Sequence, residues 1–404
     1  MNSYKIITEK MVFGGNCIAK NNGKTVFVPF ALPGEELEVE NVASHRDYDT
    51  ARIVNVINAS ENRVEPVCPL YQKCGGCNMM HVEQKAQIEL RKQMLLDAFE
   101  RNGIKDLAVE VVSDSSLGYR SRFQLHDGGL EQRSTNKVIH FDECPIAEKP
   151  VNQWLRKTPV SRRPRGRCHV FASENVVCAS GIEGNKIAVS QEVQKSQPHV
   201  VRKGKNYKTS RKVYSGTMIS PADAVTVSIL GKRISFDSRG FFQSNMKVLE
   251  KSIGFVVNGL KGDSVLDMYS GCGTFSVFLS DFFQNVTLVE HNRDALVYAE
   301  LNLAGKMHKS FGLSGARFVQ SYPDVRFDAV VVDPPRSGIE KEVLDYLCKA
   351  KIPQIRSVSC DPATHARDAA ALVKAGYKIE KLFLLDFYPN TSHIESLAWF
   401  TYEN

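Results

Sequence analysis

The chain has 404 residues, 43% of them hydrophobic, with a formal net charge of +7 and ten cysteines. That length allows two or three domains, no apolar run approaches the roughly 18 residues of a membrane span, and the opening MNSYKIITEK lacks the apolar segment of a secretory leader. A cytoplasmic protein is expected, and in a reducing compartment the cysteines point to a metal site or catalysis rather than disulfides.

Residues 1–57 read as all-β. KTVFVPF, EELEVENV and TARIVNVI alternate apolar and polar residues and are broken by Gly and Pro, the pattern of a small OB-like barrel. Residues 58–235 form a mixed α+β middle. VEQKAQIELRKQMLLDAFERNG has apolar residues at helical spacing and ends at Gly103. CPLYQKCGGCNMMH supplies Cys68, Cys74 and Cys77, and ECPIAEK supplies Cys144. Four thiolates can close a tetrahedral zinc site or a [4Fe–4S] cluster; the Cys-Pro pairs and the Gly-Gly turn favour iron–sulfur.

The same stretch carries the positive charge. Residues 156–212 hold fourteen Lys/Arg against three Glu, an excess of eleven where the whole chain has seven, so the remainder is net acidic. RKTPVSRRPRGR (156–167) and RKGKNYKTSRK (202–212) contain no acidic residue. One basic run is commonly a solvated face, but two in one segment suit a polyanion, most simply nucleic acid.

From residue 236 apolar strands alternate with helical patterns, which indicates an α/β fold with a parallel sheet covered on both faces. Ligands of such sheets bind at the carboxyl ends of the strands. LDMYSGCGTF places Gly271 and Gly273 between a strand and a helix, with Ser276 where a dinucleotide fingerprint needs a third glycine. About twenty residues on, Glu290 ends a strand, where its carboxylate can accept both hydroxyls of a ribose. The pair fits S-adenosylmethionine (SAM) better than NAD. VVVDPPRSG ends the next strand at Asp333, followed by two prolines that stiffen the loop. Arg336 stands where amino-methylating enzymes carry an aromatic ring.

SVSCDPATHARD puts Cys360 at the end of a further strand, on the same sheet edge. Methylation of oxygen or nitrogen needs no thiol, whereas methylation of a pyrimidine C5 does. A thiolate added at C6 pushes electron density onto C5, which then attacks the sulfonium methyl. The C5 proton must afterwards be removed by a base; FYPNTSHIESL offers His393 or Glu395. The pyrimidine must leave its stack to be reached. Arg120, Arg122 and Phe123 in GYRSRFQL are candidates to support it.

SRGFFQSN, LDMYSGCGTF, DPPRSG, SCDPATHARD and FYPNTSHIE, in that order, resemble the RNA uracil-C5 methyltransferase family, and the match runs nearly end to end. The resemblance implies a Rossmann-like SAM-dependent methyltransferase domain over 236–404, a central iron–sulfur and RNA-binding domain over 58–235, and a TRAM barrel over 1–57. It implies that Gln243, Tyr269, Glu290 and Asp333 contact SAM, that Cys360 is the nucleophile and Glu395 the base, and that Cys68, Cys74, Cys77 and Cys144 hold a [4Fe–4S] cluster. The substrate it implies is structured RNA, with 23S rRNA ahead of tRNA, and neither a membrane nor an obligate protein partner is expected for what is read as a monomer. A cytosine-C5 enzyme would carry its cysteine after a proline, which Cys360 lacks; a silent RNA-binding protein would have lost Cys360 or Glu395. The chain departs from the family at Ser270, Cys272 and Thr274 in the SAM loop and at Asn16 and Cys17 in the barrel. FVQSYPDVRFD offers no clear acidic partner for the adenine amine, so that contact is left unassigned.

Overall fold

The computed structural model describes residues 3–174, 176–181, 186–192, 213–219 and 224–403. Five strands, β1 (Tyr4–Met11), β2 (Asn16–Asn21), β3 (Lys24–Pro29), β4 (Glu36–Ser44) and β5 (Tyr48–Asn58), close a barrel in the order β1-β2-β3-β5-β4. Alternation turns Cys17, Ala19, Val26, Val28, Leu37 and Val39 inward, where all are fully buried.

Helix α1 (Gln84–Arg101) follows. The Glu83 carboxylate caps it by accepting the N–H groups of Lys85 and Ala86. Its buried face is Gln87, Arg91, Met94, Leu95, Ala98 and Phe99, so the first turns of that face are polar. The chain then forms β6 (Val109–Val112), β7 (Arg122–His126), β8 (Leu130–Glu131), β9 (Val138–Ile139), α2 (Lys149–Lys157), β10 (Arg167–Ser173), β11 (Val176–Gly181), β12 (Lys186–Glu192), β13 (Val213–Ile219), β14 (Ala224–Ile229) and β15 (Lys232–Asp237). Strand β10 pairs with β7 and β11, while β12/β13 and β14/β15 are two-stranded ladders.

The last part alternates regularly: α3 (Met246–Val257), β16 (Ser264–Met268), α4 (Thr274–Leu279), β17 (Asn285–Val289), α5 (Arg293–Asn302), β18 (His308–Phe311), α6 (Gly315–Ser321), β19 (Ala329–Val332), α7 (Lys341–Ala350), β20 (Gln354–Ser359), α8 (Pro362–Lys374), β21 (Lys378–Leu385) and β22 (Glu395–Thr401). Eight strands form one sheet in the order β18-β17-β16-β19-β20-β22-β21-β6. The five from β18 to β20 are parallel; β22 runs antiparallel between β20 and β21. Strand β6 joins the far edge from the middle of the sequence, parallel to β21. One apolar core lies on each face, the first including Leu95, Phe99, Val343 and Leu372, the second Val248, Ile253, Val277 and Leu296.

The reversal of β22 places the site. The parallel strands end at one edge, and an antiparallel strand begins there. Strand β20 therefore delivers Cys360 to the edge at which β22 starts with Glu395. No helix among the described residues is long and apolar enough to cross a membrane.

Candidate active site

A cavity of about 1370 Å³ lies along that edge, lined by Gln243, Tyr269, Glu290, Asp333, Cys360 and Glu395 among others. Each comes from a different strand end or connection. Tyr269 follows β16 with φ 66°, a left-handed conformation strained for a bulky residue. It is held by N–H donation from Tyr269 and Ser270 to the Val289 carbonyl, at 2.9 and 3.1 Å. Gly273 opens α4 at φ 78°, and a Cβ there would lie 3.1 Å from the Ala299 Cβ, so glycine lets α4 approach α5. The Glu290 carboxylate accepts the N–H of Gly271 at 3.0 Å and of Asn292 at 2.6 Å, which fixes it against the glycine turn.

The site gathers buried carboxyls. Burial pushes Asp267 up to about 7, against the Ser276 hydroxyl that donates to it at 2.5 Å. Burial, then the charge of Glu290, pushes Asp333 up to about 7. Burial, then Asp333, holds Glu395 well above the ordinary carboxylate range, with Arg336 opposing. Such a cluster resists ionisation until a cation arrives.

Cys360 is beside it. Register pairs Ser359 with Ser396, so the next residues along the ladder, Cys360 and Glu395, are neighbours. Burial pushes the Cys360 thiol up to about 11, with Glu395 and Asp333 adding and Arg336 opposing. After Cys360, Asp361 caps α8 through the N–H groups of Ala363 and Thr364, and Pro362 takes the first helical position. The Asp-Pro pair thus starts a helix directly. Gln243 accepts a hydrogen bond from the Tyr388 hydroxyl at 3.3 Å, and His393 meets the Tyr388 ring edge-on at 5.8 Å.

Cys68, Cys74, Cys77 and Cys144 also line this cavity. Burial, then Cys144 and Cys74, pushes the Cys77 thiol up to about 12; burial pushes Cys144 up to about 11. Among the described residues no three His, Cys, Asp or Glu side chains stand close enough to share a single metal ion.

Several candidates do other work. Phe123 is 5% exposed and packs with Leu125 and Val170 in a core, yet it lines the cavity together with Arg120, whose guanidinium lies 5.4 Å from its ring centre. Arg122 turns inward and donates to the Gly240 carbonyl at 2.7 Å. In the first basic run Arg163 is buried and donates to four carbonyls, those of Gly128, Phe141, Leu155 and Thr158. Arg162 and Arg165 of that run are exposed. The second run, 202–212, lies outside the described residues. The cavity wall beyond β18 is Leu313, Ser314 and Gly315 rather than FVQSYPDVRFD. Glu340 backs that wall, accepting the Ala316 N–H at 3.1 Å, and the Tyr269 hydroxyl lies 3.3 Å from it. As the residue before α7 it carried no signal in the sequence beyond a helix start. A second cavity, about 260 Å³, opens beyond Cys360 and includes Phe13, Arg133, Arg336 and His393.

A family model described as tRNA (uracil-5-)-methyltransferase matches residues 223–402, and a TRAM domain model matches residues 6–54. An RNA methyltransferase of Treponema denticola, itself uncharacterised, is 36% identical over 97% of this chain and 98% of its own. A 23S rRNA (uracil(1939)-C(5))-methyltransferase of Shewanella sp. MR-7 is 28% identical over 99% and 97%. Among solved structures, Pyrococcus abyssi tRNA (uracil-54, C5)-methyltransferase in complex with S-adenosyl-L-homocysteine shares the fold. It covers 98% of this chain and all of its own, with a TM-score of 0.71 at 22% identity.

Proposed function

Because the chain belongs to the RNA uracil-C5 methyltransferase family, we propose that it methylates C5 of a uridine in 23S rRNA, using SAM and a covalent adduct between Cys360 and C6. The observation that carries this reading is the pairing of β20 with β22, which sets the Cys360 thiol beside the buried Glu395 carboxyl.

Gln243, Tyr269, Glu290 and Asp333 hold SAM. The Glu290 carboxylate faces the ribose, and the sulfonium sits among carboxyls that its charge helps to ionise. Cys360 adds to C6 of the everted uracil, and C5 takes the methyl group. Glu395 then removes the C5 proton, the C5=C6 bond reforms, and the C6–S bond breaks to release the thiolate. The Cys360 thiol, held up to about 11 by burial, must lose its proton before the thiolate can add. Phe13, 43% exposed on the barrel, and Arg133 and Arg336 at the outer cavity supply stacking and phosphate contact for the flanking strand. Methylation of tRNA is the second reading, favoured by the likeness in fold to the Pyrococcus enzyme.

The four cysteines are the ligands of the proposed [4Fe–4S] cluster: all four line the cavity, and the thiols of Cys74, Cys77 and Cys144 each feel the charge of others in the set. When bound, the cluster braces 68–77 against the segment of Cys144. Iron and sulfide assays on anaerobically purified protein test it; stoichiometric zinc without sulfide overturns it.

For the reaction, Glu395→Gln incubated with RNA and methyl-labelled SAM is expected to accumulate an SDS-stable, labelled protein–RNA complex. Cys360→Ala should form none. Methylation by Cys360→Ala at the native rate would overturn the covalent mechanism.

A further inference from the structure

The segment 386–394, which leads into Glu395, is held mainly by residues far away in sequence. Tyr119 donates its hydroxyl to the Pro389 carbonyl at 2.9 Å. Gln87 and Asn390 exchange two hydrogen bonds, the Asn390 N–H to Gln87 Oε1 at 2.8 Å and Gln87 Nε2 to Asn390 Oδ1 at 3.1 Å. Asn390 itself sits at φ 65°, a conformation that asparagine tolerates.

Asn78, the residue after Cys77, makes the contacts nearest the base. Its Oδ1 accepts the Ser392 N–H at 2.8 Å, and its Nδ2 donates to the Ser392 Oγ at 2.9 Å and the Gly14 carbonyl at 3.1 Å. The backbone N–H groups of Asn78 and Met79 both donate to the Asn390 carbonyl, at 3.1 and 3.0 Å. Gly15 closes the junction: a Cβ there would lie 2.6 Å from Asn78 Nδ2 and 3.0 Å from the Ser392 Cβ. Three segments, the barrel turn, the cysteine loop and the loop before β22, therefore meet at one carboxamide. Ser392 is 5% exposed and stands three residues before Glu395.

We propose that Asn78 is a positioning residue for the proton-abstracting base, clipping Ser392 so that Glu395 faces C5 of the methylated adduct. This rests on the proposed role of Glu395. Asn78 and Ser392 also line the outer cavity with Cys360, so the effect on the base is read at one step. Adduct formation and methyl transfer use Cys360 and the cofactor, held by other strands. Elimination needs the Glu395 carboxylate within reach of the C5 proton, and that geometry depends on the loop entering β22.

The test is the partition of labelled methyl groups between the SDS-stable complex and released RNA, after reaction with methyl-labelled SAM. Asn78→Ala removes both side-chain bonds to Ser392 and should slow adduct breakdown roughly tenfold, so the complex accumulates. Asn78→Asp keeps the acceptor for the Ser392 N–H, and the serine hydroxyl can turn to donate, but a carboxylate oxygen then faces the Gly14 carbonyl, so it should restore only part of the breakdown. Ser392→Ala, away from the cysteines, should bias the partition the same way as Asn78→Ala and decides the matter if that variant does not fold. A merely structural role would lower total activity and leave the partition unchanged. That result in Asn78→Ala or Ser392→Ala, alongside accumulation by Glu395→Gln, overturns the inference and spares the base. No accumulation by Glu395→Gln removes the base, and the inference with it.

Discussion

At the scale of single residues the site is a problem in placing negative charge. Asp267 and Asp333 are both pushed up to about 7, because burial disfavours their charged forms. A bound sulfonium favours those charged forms and lowers both pKa values. The complex then holds fewer protons than the free protein at acidic pH, so affinity for SAM should rise with pH up to about 7. Each carboxyl that must ionise contributes up to about tenfold per pH unit. S-adenosylhomocysteine has no charge on sulfur and should vary much less. Calorimetric titration of both ligands across this range checks it; parallel pH profiles would contradict it.

At the scale of elements, α1 shows how one helix serves both packing and the site. Arg91 and Asp386 form an ion pair at 2.5 Å with side chains 1% and 0% exposed, joining α1 to the end of β21. Removing one partner strands a buried charge, so Arg91→Met should cost about 3–5 kcal/mol. Pairing it with Asp386→Leu should recover most of that, because a buried pair is often replaceable by apolar residues. Denaturant unfolding of the single and double variants measures the difference. The helix itself was legible, since its apolar residues recur at helical spacing up to Gly103. Its partner was not: periodicity reveals a face but not what covers it. Strand β6, four residues long, is likewise placed by pairing with β21 some 270 residues later. The short alternating run RSRFQLH did not reveal that Phe123 packs into a core while still lining the cavity. The strands of the parallel sheet read clearly, being continuous apolar runs between glycine or proline signals.

At the scale of the whole molecule, the site lies where barrel, cysteine loop and sheet edge meet. The strand-end rule brought Glu290, Asp333 and Cys360 to one edge from sequence alone, whereas Tyr269 and Gln243 came only from the resemblance. Nothing in spacing joins Asn78 to Ser392, 314 positions apart, and that contact is set only by the folded chain. We propose that the exposed Arg162 and Arg165 contact phosphates of the RNA. Replacing both with alanine should weaken RNA binding and reduce the slope of log K against log salt by about 1 to 2 units. Filter binding across a salt series reads this directly, and an unchanged slope would place the RNA elsewhere.

The central claim is that C5 of uracil is the methyl acceptor. The most direct measurement uses RNA tritiated at uracil C5, offered with SAM as 23S rRNA fragments and, separately, as unmodified tRNA. Methylation at C5 must expel that hydrogen, so tritium should be released in step with methyl incorporation, from the 23S fragments and not with Cys360→Ala. Methyl incorporation with the tritium retained would mean that another atom is the acceptor, and the covalent role of Cys360 would fall with it.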